Sequence, residues 1–141
     1  MENNNPEIKK PIKSFRDLEV YQNTYKSMLI VMKEIIHQLP ESEKYDLKDQ
    51  LSRSCKAIPR LIAEGYAKRH QKAGFQKYLD DAMAECNKTI VSLEQSRDLY
   101  DINKLKLIVW LIYDKSGRQL YNLSKRWSEF KKAEKQQTLN E

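Results

Sequence analysis

The residues best suited to chemistry in this chain are cationic and lie close together near its middle. Between residues 53 and 77 they are Arg53, Lys56, Arg60, Lys68, Arg69, Lys72 and Lys77. Glu64 is the only acidic residue in that range, so its net charge is 7 − 1 = +6, equal to that of the whole chain. Cations at this density match the phosphates of a nucleic-acid backbone better than they match a small substrate.

Aromatic residues and a second basic group support the same interpretation. Tyr66 and Tyr78 flank the cluster of Lys68, Arg69 and Lys72, and tyrosine rings stack on unpaired bases. Further cations end the chain's last helical pattern: Lys125, Arg126, Lys131, Lys132 and Lys135. An alternative stays open, because lysine and arginine also oppose the dipole at helix C-termini and keep helical surfaces soluble.

Catalysis has little support in the sequence. Neither His-Glu-x-x-His nor Cys-x-x-Cys occurs, and there is no pair of Glu-x-x-His motifs, which a di-iron bundle requires. Phosphate-binding and nucleophile-elbow glycine motifs do not occur either. Asp80 and Asp81 are adjacent, so on a helix they point about 100° apart and do not form an acid–base pair. We therefore predict no catalytic residues, no metal site and no cofactor.

Four amphipathic helices are predicted to position these residues, because apolar side chains recur at intervals of three and four. The four apolar stripes run over Leu18–Leu39, Leu47–Tyr66, Phe75–Leu99 and Leu105–Phe130. Ser14 and Asp17 resemble a capping box before the first helix, and Ser42 is a candidate cap for the second. Pro40 stops the first helix because a residue before proline leaves the α region.

The fold class that follows is all-α, an antiparallel up-down-up-down four-helix bundle over residues 14–132. We expect residues 1–13 to form a disordered N-terminal arm and residues 133–141 a disordered tail. Pro59 removes one N–H donor inside the second helix, and the apolar spacing continues on both sides of it. The second helix is therefore predicted to be one helix with a kink at Pro59.

A segment of small residues in the second helix predicts close packing. Gly65 costs about 1 kcal/mol relative to alanine in a helix interior, which is worthwhile where another helix comes near. With Ala63 beside it, this segment packs inside the bundle or against a second subunit. Glu64 has a structural role in this hypothesis, either paired with Lys68 or in a subunit interface. Gly117 suggests a similar close approach.

Cellular location is predicted from two further features. Cys55 and Cys86 lie within helical patterns, and small buried thiols in a reducing cytoplasm are favoured over a disulfide. No apolar run approaches the roughly 20 residues that a bilayer needs, and no secretory signal is visible. We therefore expect a cytoplasmic protein.

Three stretches resemble a known family: "FRDLEVYQ", "YDLKDQLSRSCKAIPRLIAEGYAKR" and "GFQKYLDDAMAECNKTIVSL". The most specific part is the motif formed by Ile58, Pro59, Ile62, Ala63, Glu64 and Gly65. These stretches resemble the four-helix-bundle proteins encoded in intervening sequences of bacterial 23S rRNA genes. Their relatives include the accessory variability determinant proteins of diversity-generating retroelements. Those relatives associate with a reverse transcriptase. The resemblance implies a homopentamer and a nucleic-acid role.

The resulting functional prediction is a non-enzymatic, oligomeric protein that binds structured RNA or DNA at the corner between its second and third helices. The predicted contacts are Arg53, Lys56, Arg60, Lys68, Arg69, Lys72, Lys77 and Tyr66, and the predicted packing residues are Pro59, Ala63, Glu64, Gly65 and Gly117. The alternative is a protein-interaction adaptor, an accessory subunit that binds a reverse transcriptase in a diversity-generating retroelement.

Overall fold

The computed structural model describes residues 11–102 and 108–140, and within them it contains four α-helices and no strand. The helices are α1 (Glu19–Ile30), α2 (Leu47–Ala67), α3 (Gly74–Tyr100) and α4 (Val109–Leu139). The all-α fold with four helices is therefore confirmed. The predicted disordered arm falls largely on residues 1–10, and Leu105 of the fourth stripe falls on 103–107, both outside the described residues.

The first helix begins after the predicted capping box. The Asp17 carboxylate accepts hydrogen bonds from the backbone N–H groups of Lys13 and Ser14, and the Ser14 hydroxyl accepts one from Arg16. This box caps a short 3-10 turn, and α1 follows it. A π-helical turn (Val31–Ile35) and a 3-10 turn (Ile36–Gln38) then carry the chain to Leu39, and the helical path ends before Pro40 as predicted.

Ser42 does not cap α2, contrary to the prediction from sequence. It lies inside a 3-10 turn (Glu41–Glu43), and α2 begins only at Leu47. The carboxylate of Glu43 takes the capping role, because it accepts a hydrogen bond of 2.9 Å from the Leu47 N–H. A carboxylate at a helix N-terminus also favourably opposes the helix dipole.

The second helix is continuous through Pro59, as predicted. Proline has no N–H, so the carbonyl of Cys55 lacks its usual donor one turn later. The ring of Pro59 is buried, and so are the neighbouring Ile58 and Ile62. Packing of this apolar face offsets the missing hydrogen bond. The bend at Pro59 and the up-down-up-down order of the helices stay predictions.

The third and fourth helices complete the bundle. Asp101 ends α3 in the left-handed conformation, with φ of 55°, at the predicted break. The fourth helix continues to Leu139, whereas the sequence predicted an end near residue 132 and a disordered tail over 133–141. Its last turns are exposed, so backbone hydrogen bonding rather than a buried apolar stripe defines them.

The core forms where α1 packs on α2 and α4, α2 packs on α3, and α3 packs on α4. Leu51, Ile58, Leu79 and Leu93 are among its fully buried side chains. Buried hydroxyls also lie in it, and each of them needs a hydrogen-bond partner. These hydroxyls belong to Thr24, Ser27, Ser54, Thr89, Ser92, Ser96 and Ser116. Thr89 donates to Ser54 at 2.9 Å across α3 and α2, which links two helices within the core.

The cysteines behave as predicted. Cys55 and Cys86 are buried and are not joined in a disulfide. Burial raises the pKa of each thiol to about 12. Among the helices of the described residues, none has both the length and the apolar character needed to cross a membrane.

Candidate nucleic-acid interface

The corner between α2 and α3 is a tight turn fixed by a glycine. Ala73 adopts the left-handed conformation with φ of 55°, and Gly74 follows it as the first residue of α3. A Cβ at Gly74 would lie 2.2 Å from the backbone oxygen of Lys68. Only glycine fits there, so Gly74 is a residue that the sequence analysis missed. Its signal was the Ala-Gly pair directly before the third apolar stripe.

Lys68 lies at this corner but is engaged by its own neighbours. Its ammonium donates to the hydroxyl of Tyr78, lies 3.5 Å from the carboxylate of Glu64 and is 4.6 Å from the centre of the Tyr78 ring. The hydrogen bond to Tyr78 raises the pKa of Lys68 above its ordinary value. The predicted pairing of Glu64 with Lys68 is thus present, and it compensates part of the charge that was assigned to phosphate binding.

Arg69 is likewise occupied, by Tyr66. The guanidinium lies 4.1 Å from the centre of the Tyr66 ring and donates a 2.8 Å hydrogen bond to the Tyr66 carbonyl. The ring of Phe75 meets the Tyr66 ring edge-on at 6.1 Å. One face of Tyr66 is therefore covered by Arg69, and stacking of a base on that face requires Arg69 to move.

Lys72 has a different setting, because it faces the end of α4 across an open groove. The groove has a volume of about 640 Å³. Its cationic lining residues are Lys72, Lys131, Lys132 and Lys135, with His70 beside them. We call this groove, with its four lysines, the basic groove. Glu134 is the only described carboxylate in the lining, and it lies 3.8 Å from Lys131. Within the described part of the chain, the other three lysines form no ion pair.

The basic groove exists because α4 continues beyond the core. Buried residues of α4 recur at Val109, Tyr113, Ser116 and Leu120, and the same three-and-four spacing leads to Trp127. Trp127 packs edge-on against Phe75 with ring centres 5.4 Å apart, which holds α4 against the corner. One turn later the inward stripe becomes polar at Lys131 and Lys135. Lysines thus occupy the positions where a longer core would place apolar side chains.

The remaining predicted contacts lie elsewhere. Arg53 is 3.7 Å from the carboxylate of Asp49. Lys56 and Arg60 line a separate groove between α1 and α2. Lys77 is exposed on α3 and lines neither groove. The structure therefore divides the predicted basic surface, and it joins Lys72 to the end of α4, which the sequence analysis had treated as a second group.

The predicted packing residues lie in different environments. Gly65 is buried, and a Cβ there would meet the Cβ of Tyr78 at 2.6 Å and the ring of Phe75 at 3.3 Å. Its close approach is therefore inside the bundle, one of the two possibilities predicted. At Gly117 no atom comes within 4 Å of an added Cβ, so the described chain makes no close approach there. Ala63 lines the groove between α1 and α2 together with Pro59.

No candidate metal site appears among the described residues. Across residues 11–102 and 108–140, no three His, Cys, Asp or Glu side chains come together as metal ligands. His70 lies at the edge of the basic groove, and His37 is exposed in the 3-10 turn that follows α1. The arrangement is suited to holding phosphates by charge.

Comparison with known protein families gives a match over most of the bundle. The family model described as "23S rRNA-intervening sequence protein" matches residues 16–111, which is more than half of the chain. The match begins before α1 and ends inside α4. No curated protein and no solved structure matches the chain significantly.

Proposed function

This chain belongs to the family of 23S rRNA-intervening sequence proteins, and we propose that it is a non-enzymatic protein that binds nucleic acid as a homo-oligomer. The bound group is the phosphate backbone of RNA or DNA, and the binding surface is the basic groove. A cytoplasmic location belongs to the same proposal. The family's name gives no binding activity, whereas the groove presents lysines that suit phosphate groups.

The observation that carries the proposal is the convergence of unpaired lysines from two distant segments. Lys72 comes from the α2–α3 corner, whereas Lys132 and Lys135 come from α4, and none of them has an ion-pair partner among the residues described. Unpaired cations facing one another repel, and a bound polyanion removes that repulsion. Neutralised phosphates also release their counterions, which drives binding at low salt.

A homopentamer is the proposed assembly, and it would strengthen this binding. Five chains of net charge +6 carry 5 × 6 = +30. The face beside Gly117 supports an assembly, because it forms a groove with Asn87 and the exposed Tyr121 that no part of the described chain fills. Tyrosine is enriched at protein interfaces, and an unfilled groove leaves room for a side chain of a second subunit.

The test compares two double variants of equal charge. Lys72→Glu/Lys132→Glu changes the basic groove, and Lys26→Glu/Lys33→Glu changes two exposed lysines on the α1 segment. Each variant has a net charge of 6 − 4 = +2. Binding to a labelled RNA hairpin and to duplex DNA is measured by fluorescence anisotropy, and mass by light scattering.

We expect the groove variant to lose at least about tenfold in affinity, and the control variant to lose less. Equal losses in both variants would show that net charge alone acts, which would contradict the basic groove as the site. If the wild type bound neither nucleic acid at low salt, the proposal would be wrong. A protein partner, such as the reverse transcriptase predicted from sequence, would then be the function to test.

A further inference from the structure

A second groove lies between α1 and α2 and combines aromatic rings with cations. Its volume is about 370 Å³, and its lining residues include Tyr21, Tyr25, Lys56, Pro59 and Arg60. We call it the tyrosine groove. Among the described residues no carboxylate lines it, whereas Glu134 lines the basic groove. The two grooves share no residue, so the tyrosine groove is a separate site.

Three aromatic rings, each in contact with the next, form one side of the tyrosine groove. Phe15 meets Tyr21 edge-on with centres 4.9 Å apart, and Tyr21 lies 5.9 Å from Tyr25 at a tilt of 36°. These contacts hold Tyr21 in place. Tyr25 is 43% exposed, so part of its ring is open to a ligand. Tyr25 contacts Tyr21 on one side and is partly exposed, and such a ring is suited to stacking on another flat aromatic group.

The opposite side of the groove is cationic. Lys56 and Arg60 are four residues apart on α2, so both project toward the same side of the helix. Neither forms an ion pair or a side-chain hydrogen bond with any residue that the structure describes. Pro59 also lines the groove and is buried, so it adds an apolar surface. The groove thus combines an exposed aromatic ring with two cations that have no ion-pair partner among the described residues.

We propose that the tyrosine groove binds one unpaired nucleotide, with the base stacked on Tyr25 and its phosphate held by Lys56 and Arg60. A cavity of this volume is at the small end of ligand sites, which suits a single nucleotide. Bases inside a duplex are already stacked and do not enter such a groove. This inference rests on the proposed function and narrows it, because it assigns single-stranded segments as the preferred target.

The experiment measures binding of a short oligouridylate, the matching oligodeoxythymidylate and a blunt duplex by fluorescence anisotropy. Tyr25→Leu removes the stacking ring and keeps an apolar side chain, whereas Tyr25→Phe keeps the ring. Tyr45→Leu is the matched control, because Tyr45 is 87% exposed and has Lys44 5.5 Å from its ring centre, but it lies outside the groove.

Tyr25→Leu is expected to weaken binding of both single strands by about tenfold and to leave duplex binding unchanged. Tyr25→Phe and Tyr45→Leu should bind like the wild type. Lys56→Gln/Arg60→Gln gives a second test that leaves the ring contacts intact, and it should weaken single-strand binding as well. The melting temperature of each variant shows that it is folded.

Three results would overturn the inference, and they differ from one another. If Tyr25→Leu bound single strands like the wild type while Lys72→Glu/Lys132→Glu lost binding, the tyrosine groove would be wrong and the basic groove would stand. If Tyr25→Leu lowered the assembly's mass, a second copy of the chain would occupy the groove. If the wild type bound no nucleic acid, this inference and the proposed function would both be wrong.

Discussion

Gly65 on α2 and Tyr78 on α3 lie so close that a Cβ added at Gly65 would be 2.6 Å from the Cβ of Tyr78. A Cβ moves only with its own backbone, so the two helices would have to separate to admit a side chain. The same tyrosine also reaches Lys68 and Glu64 through its hydroxyl. The spacing of α2 and α3 therefore sets the geometry of the corner.

Gly65→Ala is expected to destabilise the protein by about 1–2 kcal/mol. A contact of 2.6 Å calls for the upper half of the usual overpacking cost, about 2–3 kcal/mol, and replacing glycine by alanine in a helix returns about 1 kcal/mol. The free energy of unfolding is measured by urea denaturation. An unchanged or increased value would show that α2 and α3 are not held this closely.

Gly117→Ala is the matched control and has the opposite expected sign. Within one chain no described atom lies within 4 Å of an added Cβ, so only the helix preference of alanine acts unless a second subunit packs directly on Gly117. The free energy of unfolding should rise by about 0.5–1 kcal/mol, measured in the same denaturation series. A loss of stability together with a lower assembly mass would instead place another subunit against Gly117.

The contact between Tyr100 and Glu43 predicts a pH-dependent stability. The Tyr100 hydroxyl donates to the Glu43 carboxylate at 2.5 Å, which lowers the pKa of Glu43 below its ordinary value of 4.5. A lowered pKa in the folded state gives stability that is complete above the ordinary pKa and is lost as pH falls through the folded-state pKa. Tyr100→Phe removes this contribution.

We therefore expect Tyr100→Phe to be less stable than the wild type at neutral pH, and the difference to shrink as pH falls below about 4.5. Thermal melting of both proteins between neutral and acidic pH measures this difference. A difference that stayed constant down to pH of about 3 would show that the Glu43 charge does not contribute through Tyr100.

The buried thiols predict slow alkylation. Burial raises the pKa of Cys55 and Cys86 from the ordinary 9.0 to about 12, which lowers the thiolate fraction near neutral pH about a thousandfold. Iodoacetamide should label neither cysteine in the folded protein and both in urea, as measured by mass spectrometry. Rapid labelling of the folded protein would contradict the burial of these residues in the core.

Periodicity alone predicted the fold, because a three-and-four spacing of apolar residues specifies which face of each helix is buried. It did not predict helix ends equally well. Ser42 was the best cap by residue type, but a 3-10 turn places the Glu43 carboxylate on the Leu47 N–H instead. Such a turn depends on local backbone geometry that residue spacing does not report.

The proposed binding surface was only partly predictable, because charge along a sequence does not reveal which charges share a surface. Lys68 and Lys72 are four residues apart in sequence. The Lys68 ammonium donates a hydrogen bond to Tyr78, whereas Lys72 forms no ion pair with a described residue and faces α4. Lys72 and Lys132 line the same groove because Trp127 packs against Phe75. That packing joins two helices and has no signature within either one.

The central claim is that the lysines of the basic groove bind phosphates, and the salt dependence of duplex DNA binding tests it most directly. The wild type is compared with Lys72→Gln/Lys132→Gln/Lys135→Gln and with the control Lys26→Gln/Lys33→Gln. The logarithm of the binding constant is plotted against the logarithm of the salt concentration. The slope should become less steep by about 0.9 for each phosphate that a lysine no longer neutralises. We expect a total change of about 2–3 in the groove variant and no such change in the control variant. Equal slopes in the wild type and the groove variant would contradict the claim.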